Sequence, residues 1–437
     1  MPLSSRLLSA VSPWRSAPAW RIALSGGLDS TVLLHLLATL ARCERLPPLS
    51  AIHVHHGLQV AADAWPAHCQ ALCAGLGVPL QVLHVKVDGG ASLERAAREA
   101  RYAALAGCLG EDELLLTAQH RDDQAETLLF RLLRGAGVRG LAGMPTSRPL
   151  GRGTLLRPLL DCSRAELEDY ARAQGLSWVE DPSNADTRLS RNFLRQRIMP
   201  ALRERWPQSD ASLARAAAHL REAQELLDEL AGQDLLAART ESPWPWLNLP
   251  SLELAPLTRL SHARQRNAVR TWLAGHTRMP DSDHWAGWEA LRDAAVDAQP
   301  VWRLGDGELQ RADGRVWWLS GDWLRVPEAP VPWPDPSSPL KLPGNGLLSL
   351  EGVPPSGALE VRYRQGGEVL QLPGRGRRDL KRLLNEAGLP AFLRGRLPLL
   401  FRDDELLAVA NLPLLGASGA EAFRLHWRGP TNDQGLS

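Results

Sequence analysis

The sequence predicts an α/β protein: a parallel twisted sheet with helices on both faces, followed by a mostly helical middle domain and a small α+β C-terminal domain. Apolar runs of strand length alternate with segments of helical periodicity through residues 21–160, and this order is typical of a parallel sheet. A strand, a glycine loop and an apolar helix also follow one another within the first forty residues.

The predicted strands are four apolar runs, at Ile22–Leu24, Leu49–Val54, Leu80–Val87 and Glu113–Thr117. The predicted helices fall between them, at Thr31–Arg42, Asp63–Leu76 and Leu93–Leu109. Ligands of such sheets bind beyond the carboxyl ends of the strands. We therefore expect the functional residues in the segments that follow the strands.

The segment after the first strand has the composition of a phosphate-binding loop. It reads Ser25, Gly26, Gly27, Leu28, Asp29, Ser30, so backbone N–H groups and a helix N-terminus converge where an anion binds. A carboxylate beside a phosphate is repulsive unless a cation lies between them, so Asp29 indicates Mg²⁺. The Gly-Lys-Ser/Thr of a Walker loop is absent. The alternative is a glycine turn that caps a core helix.

Histidines cluster at the end of the second predicted strand, where His53 and His55 share one face and His56 lies on the other. The cluster does not by itself provide three convergent metal ligands. We interpret it as packing and nucleotide contact, and assign an ATP contact to His55.

Paired acids follow the fourth predicted strand. Asp123 and Glu126 are three residues apart, so their carboxylates share one face of a helix. Acids in a first helical turn also serve as caps, and that alternative stays open. Two carboxylates at the ligand edge of the sheet are equally suited to an ammonium ion or to Mg²⁺.

Any basic surface must be confined to a local segment, because the whole 437-residue chain carries a formal net charge of only +1. A glycine-rich loop at 134–141 holds Arg134 and Arg139, and a helical stripe carries Glu94, Arg98, Arg101 and Tyr102. Residues 361–396 contain nine Lys/Arg against three acids, a local excess that predicts a phosphate-contacting surface.

Composition sets the remaining limits. The chain is long enough for two to four domains, and its five cysteines predict neither a disulfide framework nor a CxxC pair. Reduced thiols fit a cytoplasmic setting, and no apolar run approaches the length of a membrane span. Residues 1–20 mimic a transit peptide in composition, but a short helix ahead of the first strand is the preferred interpretation.

The predicted domain boundaries follow these composition changes. They are a catalytic domain at 1–205, a helical connector at 206–240, a middle domain at 241–325, a proline-rich linker at 326–345 and a C-terminal domain at 346–437.

The motifs together resemble the tRNA(Ile)-lysidine synthases of the PP-loop ATP pyrophosphatase superfamily. The residues that carry the resemblance are 25–30, 51–57, 120–127, 134–141, 157–160, 178–184 and 191–195, with 366–368, 374–377, 380–384 and 396–401 near the end. Leu189 departs mildly, because the family often has an aromatic residue there.

The resemblance implies a ligase that uses ATP to adenylate the C2 oxygen of the wobble cytidine in a tRNA(Ile) with a CAU anticodon, releasing pyrophosphate. Free L-lysine then attacks C2 and expels AMP. It implies that the loop at 25–30 and His55 bind ATP, and that Asp29 manages Mg²⁺ and pyrophosphate. Asp123, Glu126 and Arg191 would recognise lysine.

The resemblance and the charge distribution also assign a tRNA-binding set: Arg134, Arg139, Arg195, Arg375, Arg377, Arg378, Lys381 and Arg382. The residues leave open whether the protein is a monomer or a homodimer. A PP-loop tRNA thiolase and a non-catalytic tRNA-binding protein with a vestigial ATP site are the alternatives.

Overall fold

The structure is a computed structural model that describes residues 1–57, 60–87, 93–278, 285–295, 298–372, 376–413 and 423–431. The chain divides into two compact units, residues 1–225 and 226–437. No helix among the described residues is long and apolar enough to cross a membrane.

The first unit begins with the predicted alternation. Its elements are α1 (Leu3–Val11), β1 (Trp20–Ala23), α2 (Leu28–Leu40), β2 (Leu49–His55), α3 (Trp65–Leu76), β3 (Leu80–His84), α4 (Leu93–Gly107) and β4 (Leu114–Leu116). It continues with α5 (Arg121–Leu132), α6 (Val138–Leu141), β5 (Ser147–Leu150), β6 (Gly153–Leu156), α7 (Arg164–Ala173), α8 (Ser190–Phe193) and α9 (Met199–Arg205).

Six strands form one sheet in the order β3-β2-β1-β4-β6-β5. All neighbours are parallel except the antiparallel pair β5 and β6. The strand order reverses direction between β1 and β4, and this switch point is where ligands of open α/β sheets bind. The β5–β6 hairpin was not predicted; its edge strand contains Pro149, which lacks the N–H that a central strand needs.

Alternate residues of the strands face two different cores. Ile22 of β1 packs in a cluster with helices α1, α2, α3 and α7, whereas Ile52 of β2 and Leu115 of β4 pack in a cluster with Leu105 of α4. Side chains that alternate along a strand emerge on opposite faces of the sheet. The predicted fold class, a twisted parallel sheet with helices on both faces, is therefore confirmed.

The second unit begins within α10 (Ser209–Ala238), whose larger part belongs to the first unit. It then has β7 (Ser251–Glu253), α11 (Leu254–Thr258), α12 (His262–Leu273), α13 (Ala286–Asp293), β8 (Val301–Arg303), β9 (Gly307–Ala312) and β10 (Arg315–Ser320). A hairpin joins β9 and β10, with Asp313 and Gly314 at positive φ. The helices of this region pack with a four-stranded sheet, more strand than the sequence analysis located.

The C-terminal part is rich in strands, as predicted for a small α+β domain. It has β11 (Val331–Pro332), β12 (Leu340–Leu342), β13 (Gly346–Gly352), β14 (Leu359–Arg362), β15 (Val369–Leu372), β16 (Gly376–Asp379), α14 (Leu380–Glu386), α15 (Ala391–Arg394), β17 (Leu399–Arg402), β18 (Glu405–Val409) and β19 (Phe423–Arg428).

Candidate functional site

The loop between β1 and α2 has a backbone that only glycine adopts easily. Gly26 has φ +85°, a left-handed conformation that costs other residues energy. A β-carbon there would also lie 3.1 Å from both Cys69 Sγ and Val179 Cγ2. The backbone conformation therefore favours glycine, and a β-carbon would fit only if Cys69 or Val179 moved by a few tenths of an ångström.

Hydroxyl groups brace the same loop. Ser25 Oγ lies 3.0 Å from Ser30 Oγ and accepts a hydrogen bond from the Gly27 N–H at 3.3 Å. Ser30 Oγ donates to the Gly27 carbonyl at 3.1 Å. The loop is thus held in shape by its own side chains, and the N-terminus of α2 points toward the space above it.

That space is a cavity of about 850 Å³. Its lining joins the three segments that the sequence analysis placed at strand ends: Ser25 and Asp29 after β1, His53 and His56 at β2, and Gln119 and Asp123 after β4. The segment 178–182 supplies a further wall.

Asp29 lies in the first turn of α2, at the floor of the cavity. Its Oδ1 is buried and has no hydrogen-bond partner among the described residues, and its Oδ2 lies 3.7 Å from His120 Nε2. Burial raises the pKa of Asp29, and the charges of His120 and Arg164 offset this in part. An unpartnered buried carboxylate oxygen beside a phosphate loop is a ligand suited to a hard cation.

Asp123 and Glu126 share one face of α5, as their spacing predicted, and both contact Arg195. Arg195 Nη2 lies 2.7 Å from Asp123 Oδ1 and 2.8 Å from Glu126 Oε2, and Arg195 Nε lies 2.6 Å from Glu126 Oε1. Three charge-assisted hydrogen bonds therefore link one guanidinium to both acids.

Asp123 also caps α5. Its Oδ2 accepts a hydrogen bond from the backbone N–H of His120 at 3.1 Å, so the capping interaction left open by the sequence is present. Glu126 lies one turn further along the helix, with a side chain only 2% exposed. The two acids therefore differ: one caps and pairs, and the other only pairs.

The environment shifts the two carboxyl groups in opposite directions. Burial raises the pKa of Glu126, and the hydrogen bonds from Arg195 only partly counter this. Burial also acts on Asp123, but His120 and Arg195 outweigh it and hold the pKa of Asp123 below its usual range. For Arg195, the hydrogen bond and charge of Glu126 outweigh burial, so its pKa is raised.

Three family models match along the chain. The PP-loop domain matches residues 2–202, the TilS substrate binding domain 252–317 and the TilS substrate C-terminal domain 359–429. The tRNA(Ile)-lysidine synthase of Pseudomonas aeruginosa is 66% identical over 440 residues, covering 100% of this chain and 99% of that protein. The enzyme of the same name from Escherichia coli O157:H7 is 42% identical over 401 residues, covering 89% of this chain and 91% of that protein.

The chain belongs to the tRNA(Ile)-lysidine synthase family. The resemblance identified from the sequence motifs is thereby confirmed, and with it the use of ATP by a PP-loop domain. Among solved structures, a U34-tRNA thiolase from Methanococcus maripaludis covers 50% of this chain and 78% of its own at 18% identity and a TM-score of 0.42, too distant a likeness to carry an argument.

Two residues assigned by this resemblance lie apart from the contacts expected of them. Arg191, assigned to lysine, donates from Nη2 to Thr127 Oγ1 at 3.0 Å, next to the acid pair but not on it. His55, assigned to ATP, is not in the cavity lining; its Nε2 lies 3.3 Å from Asp63 Oδ1. His53 and His56 line the cavity instead.

Several cavity residues were missed or left without a role by the sequence analysis. Arg101 and Tyr102, part of the predicted stripe, line the cavity together with Arg164, while the Glu94 side chain lies outside the described part. Arg98 Cζ lies 5.0 Å from the centre of the Tyr102 ring. Arg164 begins α7 directly after its N-cap, a position whose only sequence signal is the capping box that starts at Ser163.

The tRNA-binding set predicted for this lysidine synthase family member divides by environment. The exposed members are Arg134, Arg139, Arg377, Arg378, Lys381 and Arg382. Arg195 lies at the acid pair instead, and Arg375 lies outside the described residues. Arg382 also pairs with Glu386 at 3.0 Å.

The predicted excess of positive charge in 361–396 is partly internal. Arg396 is only 1% exposed and donates to Asn345 Oδ1 and to the backbone carbonyls of Asp322 and Trp323. Arg362 pairs with Glu360 at 2.5 Å. The exposed basic side chains that the structure describes between residues 361 and 396 are therefore concentrated on β16 and α14.

Proposed function

We propose that this protein ligates free L-lysine onto C2 of the wobble cytidine of tRNA(Ile) with a CAU anticodon, forming lysidine with release of AMP and pyrophosphate. One observation of the structure carries the proposal: the phosphate loop with Asp29 lines the same cavity as Asp123, one member of the acid pair, and its partner Arg195. An activated base and an incoming amine must meet in one place for this reaction.

The loop at 25–30 is the ATP-binding element in this proposal. Backbone N–H groups and the N-terminus of α2 would hold the phosphates. Asp29 would hold Mg²⁺, which neutralises phosphate charge when bound; the support is the buried Oδ1 that lacks a partner among the described residues. Attack of the C2 oxygen on the α-phosphate of ATP expels pyrophosphate and leaves AMP, attached through that oxygen, as the leaving group on C2.

The acid pair is the lysine-binding element. Asp123 and Glu126 would receive an ammonium group, and Arg191, one helical turn before Arg195, would receive the carboxylate. Arg195 already neutralises both acids, so lysine has to share them with Arg195 or displace it. The attacking ε-amine must be deprotonated and held close to C2.

The exposed basic residues of the second unit are the tRNA contacts in this proposal, together with Arg134 and Arg139. We assign the domains as predicted, 1–205 for catalysis with tRNA-binding domains at 241–325 and 346–437; the family matches at 252–317 and 359–429 support this. A tRNA substrate also supports the cytoplasmic setting.

The test is AMP formation that requires ATP, lysine and tRNA(Ile) together, with lysidine detected in the product RNA by mass spectrometry. Asp29→Asn should abolish pyrophosphate release, whereas Glu126→Gln should preserve it and raise the lysine requirement. AMP formation without lysine dependence would contradict the proposal, and sulfur incorporation would support the thiolase alternative.

A further inference from the structure

An apolar groove of about 600 Å³ lies between the C-terminal half of α5 and residues 187–198. We define the apolar groove by its lining residues: Leu129, Phe130, Leu133, Arg134, Thr187, Arg188, Ser190, Phe193, Leu194 and Ile198. Of these residues, only Arg134 has been assigned a role above, as a tRNA contact. We propose that the apolar groove binds an unstacked base of the substrate tRNA, next to the nucleotide that is modified; this rests on the proposed function.

The surface of the groove is unusually apolar for an exposed position. Phe193 is 45% exposed and Leu133 is 70% exposed. Large apolar side chains grouped on a surface mark a binding site. Phe130 presents a ring with the Arg134 guanidinium 4.8 Å from its centre. Flat aromatic and guanidinium surfaces are the platforms on which single-stranded bases stack.

The charge of the groove favours RNA over a second protein chain with an apolar face. Two of its ten described lining residues are arginines and none is acidic. Arg188 is 90% exposed and forms a bidentate ion pair with Asp186 through Nε and Nη2, which leaves one edge of its guanidinium toward solvent. The exposed Arg139 follows on α6. An aromatic floor with a cationic rim matches a base attached to a phosphate backbone.

The position of the groove fits a neighbouring nucleotide. Glu126 and Phe130 are four residues apart on α5, a rise of about 6 Å along the helix. Phe193 lies between Arg191 and Arg195 in sequence, and both arginines point toward α5. The helix that carries the acid pair and the helical segment that carries Arg195 therefore form the groove as well, so a base held there would fix the strand that delivers the reacting cytidine.

The experiment uses the full-length protein and an RNA stem–loop carrying the CAU anticodon loop. Its dissociation constant is measured for wild type and Phe193→Ala, with the intact loop and with loops made abasic on either side of the wobble cytidine. Phe193→Ala should weaken binding of the intact loop about 5- to 150-fold, the loss of one stacked base. For wild type, removing the base that the groove binds should weaken RNA binding by a similar factor. For Phe193→Ala, the same abasic loop should cause little further loss of affinity.

Matched controls come from the same unit. Trp206 is 58% exposed with Arg205 5.9 Å from its ring centre, and Leu132 is 53% exposed beside Leu133; neither lines the groove. Trp206→Ala and Leu132→Ser should bind the loop as wild type does, whereas Leu133→Ser should bind it less well. Melting curves verify that each variant is folded.

Three results would overturn the proposal. If folded Phe193→Ala binds the intact loop as tightly as wild type does, the groove does not bind a base. The same conclusion follows if Phe193→Ala and each abasic site weaken RNA binding by fully additive free energies. A change from dimer to monomer in sedimentation, with RNA affinity intact, assigns the groove to a second copy of this chain. Failure of wild type to form lysidine would instead refute the proposed function, so the two failures are distinguishable.

Discussion

Replacement of Arg195 by Met tests whether the acid pair is a site for an ammonium group. Methionine keeps an unbranched, flexible side chain but removes the guanidinium and its three hydrogen bonds to Asp123 and Glu126. Glu126 then lacks its hydrogen-bonded counter-charge, whereas Asp123 Oδ2 still lies 3.5 Å from His120 Nε2. The loss of the counter-charge destabilises the ionised form of Glu126 most, because its side chain is 2% exposed whereas that of Asp123 is 21% exposed.

The expected loss of stability follows from this burial. Removing one partner of a buried ion pair costs about 3–5 kcal/mol, and the lower end applies because Arg195 is one-third exposed. For a folding unit of this size, about 3 kcal/mol lowers the melting temperature by roughly 6–12 °C. Adding Glu126→Gln to Arg195→Met should restore part of this loss, because a neutral amide needs no counter-charge.

Lysine discriminates between a structural ion pair and a ligand site. In Arg195→Met the ammonium of free lysine has no competitor at the acids, so lysine should stabilise the variant more than wild type. A concentration one hundred times the dissociation constant stabilises by about 2.7 kcal/mol. The assay is thermal unfolding with increasing lysine, and norleucine, which lacks the ε-ammonium, is the control ligand.

Two results would refute this reasoning. A melting temperature of Arg195→Met equal to that of wild type would mean that the ion pair contributes nothing. Equal stabilisation of both proteins by lysine, or stabilisation by norleucine as large as by lysine, would place the amino acid away from Asp123 and Glu126.

Three further perturbations test other parts of the structure. Gly26→Ala should cost about 1–3 kcal/mol, because of its left-handed backbone, and should raise the KM for ATP, measured by pyrophosphate release. Arg21 holds the pKa of Glu113 below its usual range through hydrogen bonds. The stability that this pair provides is therefore present above the ordinary glutamate pKa and is lost as the pH falls through the lowered pKa of Glu113 in the folded protein. The denaturation midpoints of wild type and Arg21→Met should therefore converge in acid. Replacing both arginines of β16 by glutamine should weaken tRNA binding and flatten its salt dependence, because fewer counterions are released, while the ATP KM stays unchanged.

The sequence was sufficient to predict the elements whose local signal and tertiary role agree. The alternation of apolar runs located four of the five strands that pair in parallel, and the glycines of the loop at 25–30 indicated both its conformation and its place at a strand end. The β5–β6 hairpin escaped because Ser147–Leu150 is short and contains proline, so its pairing depends on the neighbouring strand rather than on its own composition.

Charge was the least predictable property, because the sign of a side chain does not tell which partner it has. Arg396 counted toward a surface in the sequence, yet it is buried beneath Trp323, with its guanidinium 4.7 Å from the ring centre. Burial lowers the pKa of Arg396 to about 10. Only the packing of the second unit shows that this cation binds carbonyl groups instead of phosphate.

The acid pair shows how a spacing rule extends to a partner helix. Asp123 and Glu126 are three apart, so one face of α5 was predictable. Arg191 and Arg195 are four apart, so the same rule puts them on one face of the following helical segment. A π-helical turn at Leu194–Ile198 lies between α8 and α9, and such turns re-aim side chains at functional sites. The sequence analysis assigned Arg191 to lysine and Arg195 to tRNA. Only the three-dimensional structure shows the contacts of each: the guanidinium of Arg195 lies on both carboxylates, and that of Arg191 donates to Thr127.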